Sequence, residues 1–213
     1  MKCVLSAQSQ HMLDKYLLPD QQYLFYENCT TSEQATFFQG YLSGHLMDTA
    51  RILETWGCEK DLCCAGLFHS LYSTEGLASV DAPFVPLPLE RREEVRVLLG
   101  WRTERLVYLF SALERRTFFE HGVEQSAFTL FDRFNHVEIP LSRQEYADLL
   151  TLTLADWLEP VVGKRVHPQV EEYVRASYKE EFIQLSSFLC TQAMKDFRLV
   201  YEIEQHSVET KEQ

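Results

Sequence analysis

The sequence predicts an all-α fold, a single-domain helical bundle, and three observations predict it. Only eight glycines and seven prolines punctuate 213 residues. The stretches between them carry apolar residues at three- and four-residue steps, the repeat of a helix buried on one face. Several of these stretches also open on N-cap residues or close on a glycine. With 46% hydrophobic and 13% aromatic residues, the chain can bury one sizeable core.

Residues 1–30 read as an N-terminal extension or helix, 31–205 as the helical domain and 206–213 as a polar tail. Thr30, Thr31 and Ser32 offer caps to a helix from about Ala35 to Trp56, where Phe38, Leu42, His45, Leu46, Thr49, Ile52, Leu53 and Trp56 share a face. Gly57 stands in the C′ position that ends it. A second helix from Lys60 to about Leu71 is nearly all apolar, which places it at the centre of the core. Ser73 to Leu89 holds three prolines and Gly76 and reads as a loop. A charged amphipathic helix, Glu90 to Leu99, is interrupted by Gly100. Arg102 to Arg116 continues as helix, with Leu106, Leu109, Phe110 and Leu113 on one side.

Thr117 to Pro140 is aromatic without a clean period. Ser142 and Glu145 have the spacing of a capping box. They open a helix through Tyr146, Leu149, Leu150, Thr153, Leu154 and Leu158, ended by Pro160. Two last helices are expected over Pro168–Phe188 and Cys190–Glu204.

A net charge of −12 disfavours non-specific binding to nucleic acid or anionic membrane. It leaves room for a small-molecule substrate or ligand, even an anionic one, because a single pocket can carry the opposite sign. No apolar run is long enough to span a bilayer, and Met1–Gln10 lacks the pattern of a signal peptide. Cys3, Cys29, Cys58, Cys63, Cys64 and Cys190 form no CxxC pair, so free thiols in a reducing cytoplasm are expected. The oligomeric state is open at this level.

Three segments carry chemistry: Gly44-His45-Leu46, Gly66-Leu67-Phe68-His69-Ser70 and Leu154-Ala155-Asp156-Trp157-Leu158. Each sets a metal-capable side chain in an apolar helix, where a charge is costly unless it is paired or metal-bound. A lone core histidine is ordinarily a hydrogen-bonded residue, and Asp156 alone can cap a helix or pair with an arginine. Two imidazoles and a carboxylate on three separate helices, however, make a common ligand set.

These segments resemble the HD superfamily of metal-dependent hydrolases, above all the HD domains of stringent-response alarmone hydrolases. In that family a His begins a helix leading to A-x-I-L, matched by His45 to Leu53. An A-x-L-x-H-D segment follows, matched by Ala65 to Ser70. A glycine then precedes the second half, matched by Gly100. An L-A-D-x-L segment supplies the last ligand, matched by Leu154 to Leu158. The match covers residues 40–160 in the family's order. The chain also looks like an uncharacterised HD-like family marked by G-L-F-H-S-x-Y, here Gly66 to Tyr72.

The resemblance implies a metal held by His45, His69 and Asp156, with departures around it. The HD aspartate, a ligand in the hydrolases, is Ser70 here. The acidic pair that helps activate the attacking water falls at Ser73 and Thr74, with Glu75 one or two positions late. Pro160 replaces the polar residue four positions after the last ligand, with Glu159 beside it. Three ligands still suffice for a single divalent ion, iron, manganese or zinc. Glu75, Glu159 and Tyr72 are the candidate catalytic groups, and Ser70, Thr74, Arg102 and Arg105 the candidate substrate contacts. The basic residues from Arg91 to Arg116 could form an anion-binding face, but they alternate with glutamates, which reads rather as ordinary helix ion pairs.

Three functions follow as expectations. One is a metal-dependent enzyme on a small, phosphorylated or nucleotide substrate. The second is a non-haem iron oxygenase using the same three residues. The third is a degenerate HD domain that binds a ligand or partner without turnover.

Overall fold

Two helices with almost no polar face organise the chain. The computed structural model describes residues 7–30, 36–73, 85–120, 128–162 and 177–201. Within them the order is α1 (Ala7–Tyr16), α2 (Pro19–Thr30), α3 (Thr36–Thr55), α4 (Lys60–Phe68), α5 (Arg92–Leu99), α6 (Trp101–Ala112), α7 (Arg115–Glu120), β1 (Phe128–Asp132), β2 (Val137–Leu141), α8 (Arg143–Val162), α9 (Lys179–Gln184) and α10 (Thr191–Val200). In α4 every residue from Leu62 to Phe68 is buried. In α8 the burial is unbroken from Asp148 to Ala155. A helix apolar all round must be surrounded. Accordingly α3 packs on both α4 and α8, α6 on both, and α10 on α8. Among the described residues the protein is an all-α bundle with one small hairpin. α1, α2 and the turn between them contribute Leu13, Leu17, Leu24 and Phe25 to the same core, and Phe25 meets Phe68 edge-on at 6.0 Å.

The end signals act as the sequence predicts. Gly57 has φ 76°, and its N–H reaches the Glu54 carbonyl at 2.9 Å while the Cys58 N–H reaches that of Leu53 at 3.1 Å. These paired bonds close α3 as a Schellman motif, which favours glycine because of its left-handed φ. The Ser142 N–H donates to Glu145 Oε2 at 2.8 Å, and the Glu145 N–H donates to Ser142 Oγ at 3.1 Å. This reciprocal capping box contributes about 1 kcal/mol to the start of α8.

Four boundaries differ from the sequence expectation. Arg102 to Arg116 is not one helix. Leu113 turns extended (φ −64°, ψ 141°) and bridges Asp132, splitting α6 from α7. The aperiodic stretch before Pro140 contains an antiparallel hairpin, Phe128 opposite Leu141 and Asp132 opposite Val137. Its alternation is hidden because one inward position is the polar Asp132. That carboxylate takes the Tyr108 hydroxyl and the N–H groups of Phe134 and Asn135, so the turn is built around it. Burial opposes its charge, but these hydrogen bonds hold Asp132 below the usual carboxylate range.

Pro160 does not end α8, which runs on to Val162. A proline in the last turn costs only the bond to the carbonyl four residues back, here that of Asp156. Pro168 to Phe188 is also not one helix in its described part. Tyr178 is left-handed at φ 56°, α9 spans six residues, and a 3-10 turn covers Ser186–Phe188. Residues 168–176 and 206–213 lie outside the described residues.

Cys58, Cys63, Cys64 and Cys190 are free thiols. Burial pushes the Cys58 and Cys64 thiols up to about 12 and Cys63 to about 11, so these three are unreactive at neutral pH. Among the described residues no helix is long and apolar enough to cross a membrane.

Candidate metal centre

His45 comes from the middle of α3, His69 from the turn that caps α4, and Asp156 from α8. What brings the first two together is Gly66. A Cβ there would lie 2.8 Å from Leu53 Cδ1 and 3.2 Å from the Ala50 Cα. Only hydrogen at that position lets α4 approach α3 this closely. The same residue's carbonyl accepts a hydrogen bond from His69 Nδ1 at 2.8 Å. Gly66 thus fixes both the spacing of the helices and the orientation of one ring. Phe110 packs edge-on against that ring at 5.2 Å.

The three donor atoms form a small triangle. His45 Nε2 lies 3.1 Å from His69 Nε2 and 3.0 Å from Asp156 Oδ1, and His69 Nε2 lies 3.3 Å from that oxygen. Ligands bound at roughly 2.1 Å are about 3.0 Å apart when mutually perpendicular and about 3.4 Å apart when tetrahedral. The observed sides span that interval, so one ion can touch all three atoms without rearrangement. The side chains of His45 and Asp156 are 16% and 14% exposed, so the site is reachable from solvent.

The outer hydrogen bonds decide which nitrogens face inward. A backbone carbonyl only accepts, so His69 Nδ1 carries its proton toward Gly66 and Nε2 presents a lone pair. His45 Nδ1 lies 2.7 Å from Glu159 Oε2, a carboxylate 1% exposed. That nitrogen is therefore also the donor. The two Nε2 atoms stand 3.1 Å apart beside Asp156 Oδ1, an arrangement that a cation between them satisfies. Without a metal, a proton serves. Burial disfavours a charge on His45, but the Asp156 and Glu159 carboxylates outweigh it and push the imidazole up to about 9. Burial likewise opposes the charge of Asp156, and the two imidazoles hold it well below the carboxylate range. His45, His69 and Asp156 can hold a metal ion, and two imidazoles with one carboxylate suit iron, manganese or zinc.

The other sequence candidates fall in different places. Glu159 joins the site through His45. Ser70 follows His69 and is buried, and its hydroxyl has no hydrogen-bond partner among the described residues. Tyr72 is buried and donates to Glu104 at 3.4 Å, and its phenol is pushed up by burial. Arg102 pairs with Glu59 at 2.6 Å and Asp148 at 2.9 Å, and Arg105 pairs with Glu145. Neither arginine is brought to the triangle. Thr74 and Glu75 lie outside the described residues. The run of arginines resolves mainly into ion pairs, Arg91 with Glu27 and Glu94, and Arg92 and Arg96 with the buried Glu104.

One residue at the site stands in the sequence only as a member of the basic run. The Arg115 guanidinium reaches Asp156 Oδ2 at 3.3 Å and lies over the Trp157 ring at 5.8 Å. Its signal was present: Arg115, Phe118 and Phe119 are spaced as one helix face, and all three are buried. An arginine on an apolar face has a buried anion to meet.

The profile of a domain of unknown function, DUF6817, matches residues 28–115. That span holds α3, α4 and both histidines, and it stops short of Asp156. No curated protein and no solved structure matches significantly.

Proposed function

We propose that this protein is a mononuclear metal-dependent enzyme of HD-like architecture, acting on a small molecule through His45, His69 and Asp156. The observation that carries this is the triangle of donor atoms, with both Nδ1 protons already committed to Glu159 and Gly66. Outer hydrogen bonds of this kind orient metal-bound imidazoles and raise their basicity. A metal there supplies Lewis acidity toward a substrate oxygen or, if it is iron, redox chemistry with dioxygen. The chain's own residues do the rest. His45 and His69 give neutral donors, Asp156 gives one charge, and Arg115 offsets part of it. Glu159 acts on His45 rather than on substrate. Phe110 closes one side of the His69 ring. Hydrolysis of a small phosphorylated or nucleotide substrate is the activity the HD resemblance favours. The donor set itself favours a second reading, an iron oxygenase, because Ser70 stands where the hydrolases carry a further carboxylate.

Metal analysis of protein purified without added metal separates these readings. One ion per chain is expected. Manganese or zinc supports hydrolysis and iron supports oxygenation. Glu159→Gln is expected to weaken binding by roughly 10- to 100-fold, with helical circular dichroism unchanged. If neither the isolated protein nor protein titrated with iron, manganese and zinc binds a metal, the domain is a binding module without this chemistry.

A further inference from the structure

The two oxygens of Asp156 face different partners. Oδ1 lies 3.0 Å from His45 Nε2 and 3.3 Å from His69 Nε2, at the triangle. Oδ2 lies 3.3 Å from the Arg115 guanidinium. Arg115 is itself held in place. It stands at the start of α7, two residues after the extended Leu113 that bridges Asp132 of the hairpin, and its side chain is 10% exposed. Just past the break between α6 and α7 this arginine is buried, and Trp157, the residue after Asp156, lies beneath it.

We propose that Arg115 is the positioning residue that keeps Asp156 a one-oxygen ligand, so that the metal's remaining positions stay open to exogenous ligands. The inference rests on the metal-centre reading above. A carboxylate free to rotate can chelate a divalent ion through both oxygens and occupy one more coordination position. A guanidinium hydrogen-bonded to Oδ2 competes for that oxygen and repels the cation from it. With two imidazoles and a single carboxylate oxygen, a six-coordinate ion would keep three positions open. That number accommodates a chelating substrate together with a small co-ligand. A chelating Asp156 would leave two.

Cobalt(II) is a suitable probe, because its visible absorption reports coordination number and needs no activity. Wild-type protein loaded with cobalt chloride is expected to bind azide. In Arg115→Met the cobalt spectrum should change and azide affinity should fall roughly tenfold or more. Arg115→Lys, which keeps a charged donor, should fall between the two. A purely structural role would lower the melting temperature and leave spectrum and azide affinity unchanged, and that result overturns the inference. Should Arg115→Met not fold, the wild-type cobalt form decides in a crystal. One Asp156 oxygen on cobalt and the other on Arg115 is the expected arrangement, and chelation through both oxygens contradicts it. Failure of the underlying reading looks different: wild-type protein then binds no cobalt, or binds it equally well as His69→Ala.

Discussion

Asp156→Ala is expected to remove metal binding and to destabilise the metal-free protein as well. In the metal-free state this carboxylate is the common anion for His45, His69 and Arg115. Removing it takes away the one carboxylate that all three share in a site that is largely buried. Breaking a buried ion pair from one side costs about 3–5 kcal/mol. For a chain of this size that corresponds to a fall in melting temperature of about 10 °C. Asp156→Asn should separate the two effects. The amide oxygen can still accept from an imidazole, so much of the stability stays. Without the negative charge, metal affinity should fall by at least 100-fold, an effect of about 2.7 kcal/mol. Thermal melts and calorimetric metal titrations of both variants read this out. Equal melting temperatures for wild type and Asp156→Ala would mean that the carboxylate is not the electrostatic centre of the cluster.

Gly66→Val should show that the site depends on a helix–helix distance. The added methyl groups must enter a gap where even a Cβ meets Leu53 Cδ1 at 2.8 Å and the Ala50 backbone at 3.2 Å. The leucine tip can rotate, but the α3 backbone has no such freedom. Overpacking of this kind costs about 3 kcal/mol. The more specific effect is on His69, three residues along and hydrogen-bonded to the Gly66 carbonyl. If α4 moves outward, its imidazole leaves the triangle and metal affinity drops together with stability. Leu53→Ala in the same chain removes the closest contact and should restore part of both. Lost stability with unchanged metal affinity would mean that the close approach serves packing alone.

The helices that carry the site were legible because their signals are local. Apolar spacing places α3 and α4, Gly57 ends α3, and Ser142 with Glu145 starts α8. The triad itself came from three polar residues on apolar helices, and the structure brings them together. What the sequence hid has one physical form, in which a polar residue takes an inward position and is satisfied by a distant partner. Asp132 breaks the alternation of β1 because Tyr108 and the turn N–H groups solvate it. Arg115 looks like one member of a surface charge run, yet it faces Asp156 41 residues away. Glu104 looks like a helix-surface glutamate, yet it is fully buried between Arg92 and Arg96. Such pairs are set by tertiary packing, and no periodicity over a few residues reports them. Pro160 misled for the opposite reason: its local rule is strong in a helix interior and weak in a last turn.

His45, His69 and Asp156 are proposed to hold one metal ion between them. Anomalous diffraction from crystals grown with manganese or zinc tests it directly. A single strong peak is expected about 2.1 Å from His45 Nε2, His69 Nε2 and Asp156 Oδ1, with Glu159 and Gly66 still on the outer nitrogens. Crystals that hold the metal elsewhere, while the two imidazoles keep a proton between them, would contradict it.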